Sequence, residues 1–221
     1  MTKGRIANWI FVLTAIVFLI TGALIAKNKK PLSSLPFLGQ CRYDSVRTAG
    51  TWLWDSIHHT IQNFAFTDQT GKTITEKDFK GKIYVTDFFF TTCKSICPIM
   101  TNQMQRVAEA YKNEPSVLFL SHTVYPEQDS VSTLADYADS HNADPRRWHF
   151  VTGNKKELYN MARNSYLLSS DTGDGGLSDF VHTQKFALVD ANRHIRGIYN
   201  GTDSADVTRL ISEIYFLIKN E

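Results

Sequence analysis

Two cysteines four positions apart, Cys93 and Cys97, sit in the run Phe90-Thr91-Thr92-Cys93-Lys94-Ser95-Ile96-Cys97-Pro98. Ahead of them Ile83 to Phe90 is rich in β-branched and aromatic residues. Behind them Met100, Met104, Val107, Ala108 and Tyr111 fall on one helical stripe. The pair therefore lies where a strand turns into a helix, the place where α/β folds put reactive groups. Unpaired N–H groups and the helix dipole at such an end favour both sulfurs as thiolates, and Pro98 suits a first helical turn. Two chemistries follow: a dithiol that cycles to a disulfide, or a pair of soft thiolate ligands for a metal. A closed structural zinc site takes four ligands, so two cysteines alone do not make one and any further ligand comes from elsewhere.

The elements that must position these residues are legible from hydrophobic period. Phe64 and Phe66, a Gln69-Thr70-Gly71-Lys72 turn and Thr73-Ile74-Thr75 predict a β-hairpin. Ile83 to Phe90, almost continuously apolar, predicts a central strand covered on both faces. After the cysteine helix come a strand at Val117 to Ser121, a helix at Ser132 to Ser140, a short strand at Trp148 to Val151 and a helix at Lys155 to Arg163. Such alternation means a parallel α/β unit. Phe186 to Asp190 and Ile195 to Tyr199 then flank an Ala191-Asn192 turn as a second hairpin. A closing helix carries Val207, Leu210, Ile211, Ile214 and Ile218, with Asp203 or Ser204 as its cap. The order is that of a thioredoxin-like fold with an N-terminal β-hairpin.

That order singles out one of the seven histidines. His58, His59, His122, His141, His149 and His194 carry no positional signal, but His182 lies just before the Phe186 strand. In a thioredoxin-like fold this connection faces the cysteine turn. A thioredoxin-type reductase keeps a cis-proline there, whereas the last proline here is Pro145. An imidazole thus replaces the group that helps bind a substrate disulfide. Two thiolates and one imidazole suit copper, since thiolate favours Cu(I) and imidazole accepts Cu(II).

The 221 residues are 43% hydrophobic, with 24 bases against 22 acids. One ordinary domain with extras fits this length, and neither a disordered chain nor a disulfide framework does. Five bases (Lys3, Arg5, Lys27, Lys29, Lys30) and no acid fall in residues 1–30, leaving a mildly acidic remainder. Such a remainder has no basic face for phosphates, which excludes a nucleic-acid binder. Trp9 to Ala26 is an uncharged run of 18 residues, about 27 Å as a helix and close to a bilayer core. Residues 1–30 are expected to be a single-pass anchor with its transmembrane helix at about 9–26. Flanking charges balance, so they leave the orientation open. The eight residues ahead of it leave no room for a mitochondrial transit peptide, an expectation of a bacterial membrane. Residues 31–61 have no clear period and are read as a spacer whose Leu35-Pro36-Phe37 and Trp52-Leu53-Trp54 stretches pack on the domain edge. Cys41 in this spacer follows Gln40 and not the small residue a lipidation site needs, and is read as an incidental thiol. The thioredoxin-like copper-binding domain is expected over 62–221.

The chain resembles the SCO/SenC family of copper proteins that serve cytochrome c oxidase assembly. The likeness rests on Gly81-Lys82, Phe89-Phe90-Thr91-Thr92-Cys93 through Cys97-Pro98, Trp148-His149-Phe150-Val151-Thr152-Gly153 and Val181-His182-Thr183. It implies Cys93, Cys97 and His182 as copper ligands, and a domain facing the periplasm from the bacterial inner membrane. The implied partner is the copper-site subunit of cytochrome c oxidase, with a copper donor or a thiol reductase beside it. One departure is visible. Where the family commonly reads Asp-Pro-Glu-Arg-Asp, this chain has Tyr125-Pro126-Glu127-Gln128-Asp129, so a loop acid and base that could meet a partner are lost while the implied ligands are kept. The leading expectation is a membrane-anchored copper metallochaperone and not an enzyme in the strict sense. The alternative is a thiol-disulfide oxidoreductase acting on the cysteines of that site or of another envelope protein, and a redox or copper sensor is a third.

Three further features stay open at this level. Asp87 precedes Cys93 by six residues, the spacing of the buried thioredoxin carboxylate that moves protons for the cysteines, but it is read first as an Asp on an exposed or water-lined strand position. Met100 and Met104 share the helical stripe and are read as core, not as thioether ligands. Asp171 to Gly176 lacks a calcium loop's spacing and terminal Glu. It is read as a flexible loop that lets His182 approach or leave the metal.

Overall fold

Strands form where β-branched and aromatic side chains can be covered on both faces, and the most apolar of them take the centre. The computed structural model describes residues 34–48, 51–176 and 179–220. Within them β1 (Cys41–Thr48) and β2 (Thr51–His58) pair as a separate two-stranded hairpin. A seven-stranded sheet is built from β3 (Ala65–Asp68), β4 (Thr73–Thr75), β5 (Ile83–Phe89), β6 (Val117–Thr123), β7 (Trp148–Thr152), β8 (Lys185–Val189) and β9 (Ile195–Asn200). Its order is β4-β3-β7-β6-β5-β8-β9. The central β5, β6 and β7 are parallel, whereas β3 and β4 on one side and β8 and β9 on the other are antiparallel additions. Every residue of β5 and of β6 is buried, as a parallel strand covered on both faces requires.

Alternation along β5 splits the core into two layers. Tyr84 and Phe88 face one side, where Phe88 stacks on His122 with ring centroids 4.7 Å apart and meets Tyr166. Phe89 faces the other, against Tyr137 and Phe150. Helix α1 (Ile96–Ala110) buries Cys97, Met100, Thr101, Met104 and Val107; of the stripe read from the sequence, Met100, Met104, Val107 and Tyr111 are buried and Ala108 is half-buried. The Met100 and Met104 side chains are fully buried, so core packing is their role. Helix α2 (Val131–Ser140) is capped by Ser130, whose hydroxyl accepts the Thr133 N–H. Helix α4 (Ser204–Asn220) buries Val207, Leu210, Ile214 and Leu217, while Ile211 and Ile218 stay half-buried. Of the two expected caps, Asp203 accepts the Ala205 N–H.

The thioredoxin-like α/β arrangement and both predicted hairpins are present. The first turns at Gly71, whose φ of +81° is the left-handed region that a side chain disfavours. Two elements differ from expectation. The helix expected over Lys155 to Arg163 is α-helical as α3 (Lys155–Asn160) and then widens into a π-helical turn at Met161–Ser165, closed by the Tyr166 N–H on the Met161 carbonyl. Period-reading assumes 3.6 residues per turn and so misses a widened one. The stretch read as a spacer contains the β1–β2 hairpin. Pro36–Glu221 forms one compact unit. Phe37 stacks on His58 at 4.2 Å and lies under the Arg196 guanidinium, whereas the side chains of Trp52, Leu53 and Trp54 lie outside the described residues. The expected anchor at Trp9 to Ala26 also lies outside them. Among the described residues no helix is long and apolar enough to cross a membrane.

Candidate metal centre

The cysteine turn begins where β5 runs out of paired backbone. The Cys93 N–H bonds the Phe90 carbonyl at 3.2 Å, which closes a tight turn. Cys97 then falls in the first turn of α1, where its own N–H has no helical partner. That N–H points at the Cys93 sulfur, 3.5 Å away, and the Ser95 hydroxyl lies 3.7 Å from the same Sγ. Partial burial works against ionisation of Cys93. Hydrogen bonds from the Cys97 thiol, the Cys97 and Ser95 backbone and the Ser95 hydroxyl outweigh it, and they bring the Cys93 thiol down to about 7. Cys97 is 3% exposed. Burial first, and then the thiol-to-thiol bond it donates to Cys93, push it up to about 12. The expectation that both sulfurs are poised as thiolates is thereby corrected. A helix end has few free N–H groups, and here Cys93 takes one while Cys97 is desolvated.

Asp87 is 2% exposed, which corrects the first reading of it as exposed or water-lined: both faces of β5 are covered, so the buried alternative holds. Burial pushes its carboxyl up to about 7, against a lowering contribution from the Ser121 hydroxyl. Ser121 lies opposite Asp87 on β6 and itself accepts the Trp148 indole N–H at 2.9 Å. Oδ1 of Asp87 has no hydrogen-bond partner among the described residues. The negative charge of Asp87, once formed, raises Cys97 further. The carboxyl and the buried thiol are therefore electrostatically linked.

His182 is exposed. It lines a cavity of about 210 Å³ with Ser169, Asp171, Gln184 and Lys185. Among the described residues, no three His, Cys, Asp or Glu side chains gather closely enough to hold one metal ion. The fold thus brings Cys93 and Cys97 together and leaves His182 outside a finished ligand set. Its segment is nonetheless fastened beside the cysteine turn. Phe180 packs edge-on against Phe90 with ring centroids 5.4 Å apart. Asp179 takes a bidentate pair from Arg163 at 2.6 and 2.7 Å, plus the Gly175 N–H. Arg163 also reaches the Asp171 carbonyl at 2.7 Å. The Arg163 pair first, and then the Gly175 N–H, hold Asp179 well below the usual carboxylate range, at about 2. The Arg163–Asp179 pair was not legible in the sequence, because its partners are 16 residues apart and Arg163 projects from the π-helical turn.

The two thiols fit a soft metal such as copper: Cys93 is partly ionised near neutral pH, and the proton of Cys97 would be released to solvent as the metal displaces it. Two thiolates suffice for a near-linear Cu(I), and Cu(II) calls for a nitrogen donor in addition.

Comparison with known proteins agrees with this architecture. The SCO1 protein homolog of Bacillus subtilis (strain 168) is 28% identical over 167 residues, covering 75% of this chain and 86% of that protein. A solved structure of BsSco, described as a member of the Sco family of cytochrome c oxidase assembly proteins with a disulfide switch, superposes with a TM-score of 0.63. It is 28% identical and covers 74% of this chain and 95% of that one. Bradyrhizobium japonicum ScoI, solved with copper bound, matches at fold level with a TM-score of 0.57 and 24% identity over 72% of this chain and 99% of its own. The SCO1/SenC family model matches residues 55–217, which contain the cysteine turn, Asp87 and His182, and the chain belongs to that family.

Proposed function

We propose that this protein is a membrane-anchored copper metallochaperone that binds copper through Cys93, Cys97 and His182. It delivers the metal to the binuclear copper site of cytochrome c oxidase. The carrying observation is the pairing of the Cys93 sulfur with the Cys97 N–H and thiol, which lowers the Cys93 thiol to about 7 and so opens the metal-binding thiolate form near neutral pH. Exposed His182 is the ligand that arrives or leaves. Its segment touches the cysteine turn through Phe180 and Phe90, so a rearrangement of the intervening residues brings the imidazole to the sulfurs. Cargo that must be passed on is better served by a site that completes and opens than by a rigid cage. Membership of a family whose solved member BsSco is described as an oxidase assembly protein supports the target. The uncharged run at Trp9 to Ala26 supports the anchor, and membership of the family, not the balanced flanking charges, supports a domain that faces the periplasm.

Titration of the full-length chain in detergent with each copper oxidation state tests the ligand set. His182→Ala is expected to lose Cu(II) binding while Cu(I) binding survives on the two thiolates. Unchanged Cu(II) affinity in that variant removes His182 from the set, and a wild-type chain that binds neither ion removes the copper reading.

The buried Asp87 favours a second reading, a thiol-disulfide oxidoreductase. In it the Cys93 thiolate attacks a target disulfide and the displaced sulfur leaves as a thiolate that takes up a proton. Cys97 then loses its proton towards Asp87 and attacks Cys93, releasing the second target thiol and leaving a Cys93–Cys97 disulfide. The target gains the two electrons that the cysteine pair gives up. In this reading His182→Ala leaves turnover unchanged.

A further inference from the structure

Asp129 is completely buried, and among the described residues its carboxylate is met by neutral donors. The Thr91 hydroxyl donates to Oδ1 at 2.6 Å and the Thr91 N–H to Oδ2 at 3.3 Å. The Thr123 hydroxyl closes on Oδ2 as well. Burying a carboxylate is costly unless every lone pair finds a donor, and packing alone would be better served by an apolar side chain. Three segments converge on this group. Thr91 belongs to the cysteine turn two residues before Cys93, Thr123 ends β6, and Asp129 closes the loop that follows β6. The loop is itself folded back, with the Asp129 N–H on the Tyr125 carbonyl at 3.0 Å and the Tyr125 N–H on the Thr123 hydroxyl at 2.9 Å. The Val124 N–H ties its start to the Phe89 carbonyl at 2.8 Å.

The turn from Phe90 to Cys93 has one backbone bond of its own, Cys93 N–H to Phe90 carbonyl. Asp129 adds two more by gripping both the N–H and the hydroxyl of Thr91. With Thr91 held, the Cys93 sulfur is placed under the Cys97 N–H. From this geometry we infer that Asp129 is a positioning residue for the dithiol: through Thr91 it sets the spacing of Cys93 and Cys97, and with it their metal affinity and their dithiol–disulfide balance. It touches neither sulfur. This inference rests on the cysteine pair being the working site and holds for either the copper or the redox reading.

The test compares full-length wild type with Asp129→Ala, Asp129→Asn and Thr91→Val, measuring Cu(I) affinity by competition with a chelator and the Cys93–Cys97 equilibrium in metal-free glutathione buffers. Asp129→Ala should weaken Cu(I) binding at least tenfold. It should also shift the metal-free equilibrium at least tenfold towards the disulfide, about 30 mV for a two-electron couple. Thr91→Val loses one of the three bonds, and Asp129→Asn keeps one acceptor oxygen, so each should move both quantities the same way by a smaller factor. Leu210→Ala, a core truncation on α4, controls for lost stability and should leave both values within twofold of wild type in the folded protein. If Asp129→Ala does not fold, the two milder variants carry the test. Values within twofold of wild type for every folded variant of the two sites would overturn the inference. Absence of Cu(I) binding in wild type, with the disulfide shift still present, would overturn the copper reading and leave the positioning role standing.

Discussion

At the scale of single residues the site is an asymmetric pair. Cys93 ionises near pH 7 and Cys97 near 12, although both stand in the same turn. The thiolate is the form that alkylates. Carbamidomethylation of the reduced, metal-free chain is therefore expected at Cys93 first, with a rate that climbs through about pH 7 and levels off above pH 8. Peptide mass spectrometry across pH reads this out, and faster labelling of Cys97 would contradict the assignment. Asp87 carries the opposite linkage from most carboxylates. Its folded value of about 7 lies above the ordinary one of 3.8, so between these values the folded state keeps a proton that the unfolded state has lost. Its contribution to stability is full below about pH 4 and disappears as pH rises through 7, a matter of a few kcal/mol. Asp87→Asn cannot ionise, and its urea-unfolding free energy should gain on wild type steadily from pH 4 to 7. A constant difference between the two over that range would show that Asp87 does not titrate there. The residues Cys93 and Cys97 were legible because their types and four-residue spacing suffice to mark them. Their unequal acidity was not, because desolvation depends on what the rest of the chain packs over each sulfur.

At the scale of elements, the helical stripe of α1 was readable and its meaning holds. Met100 and Met104 are fully buried in the core beneath the cysteine turn, and thioethers so placed have no open path to a metal at the surface. Replacing both by Leu conserves volume and should cost less than about 1.5 kcal/mol per site. Copper stoichiometry in the double variant is expected to match wild type by metal analysis, and loss of one equivalent would make a thioether a ligand. The π-helical turn at Met161–Ser165 was not readable, nor was the pairing of β1 with β2. A widened turn leaves no period of its own. The hairpin's register runs from Cys41 opposite His58 to Thr48 opposite Thr51, without the alternation that marks a half-buried strand.

At the scale of the whole molecule, the proposed anchor and periplasmic domain make a direct expectation. A reporter active only in the periplasm, fused after Glu221, should work in a bacterial host, and activity of a cytoplasm-only reporter at the same junction would reverse the placement. The sequence by itself determined the order of strands and helices from Gln62 onward, the cysteine turn at the β5–α1 junction and the family. Each of these depends on local pattern: hydrophobic period, turn residues and the spacing of two thiols. Tertiary structure alone decided that Asp87 is buried and that Asp129 grips the cysteine turn through Thr91. It also decided that Arg163 fastens the His182 segment and that His182 itself stands open to solvent. These facts depend on which distant segments meet, over separations of 38 residues for Thr91 and Asp129 and 16 for Arg163 and Asp179. A local pattern records what a side chain is. Burial and long-range hydrogen bonding, which set its charge and its reach, exist only once the chain has closed around it.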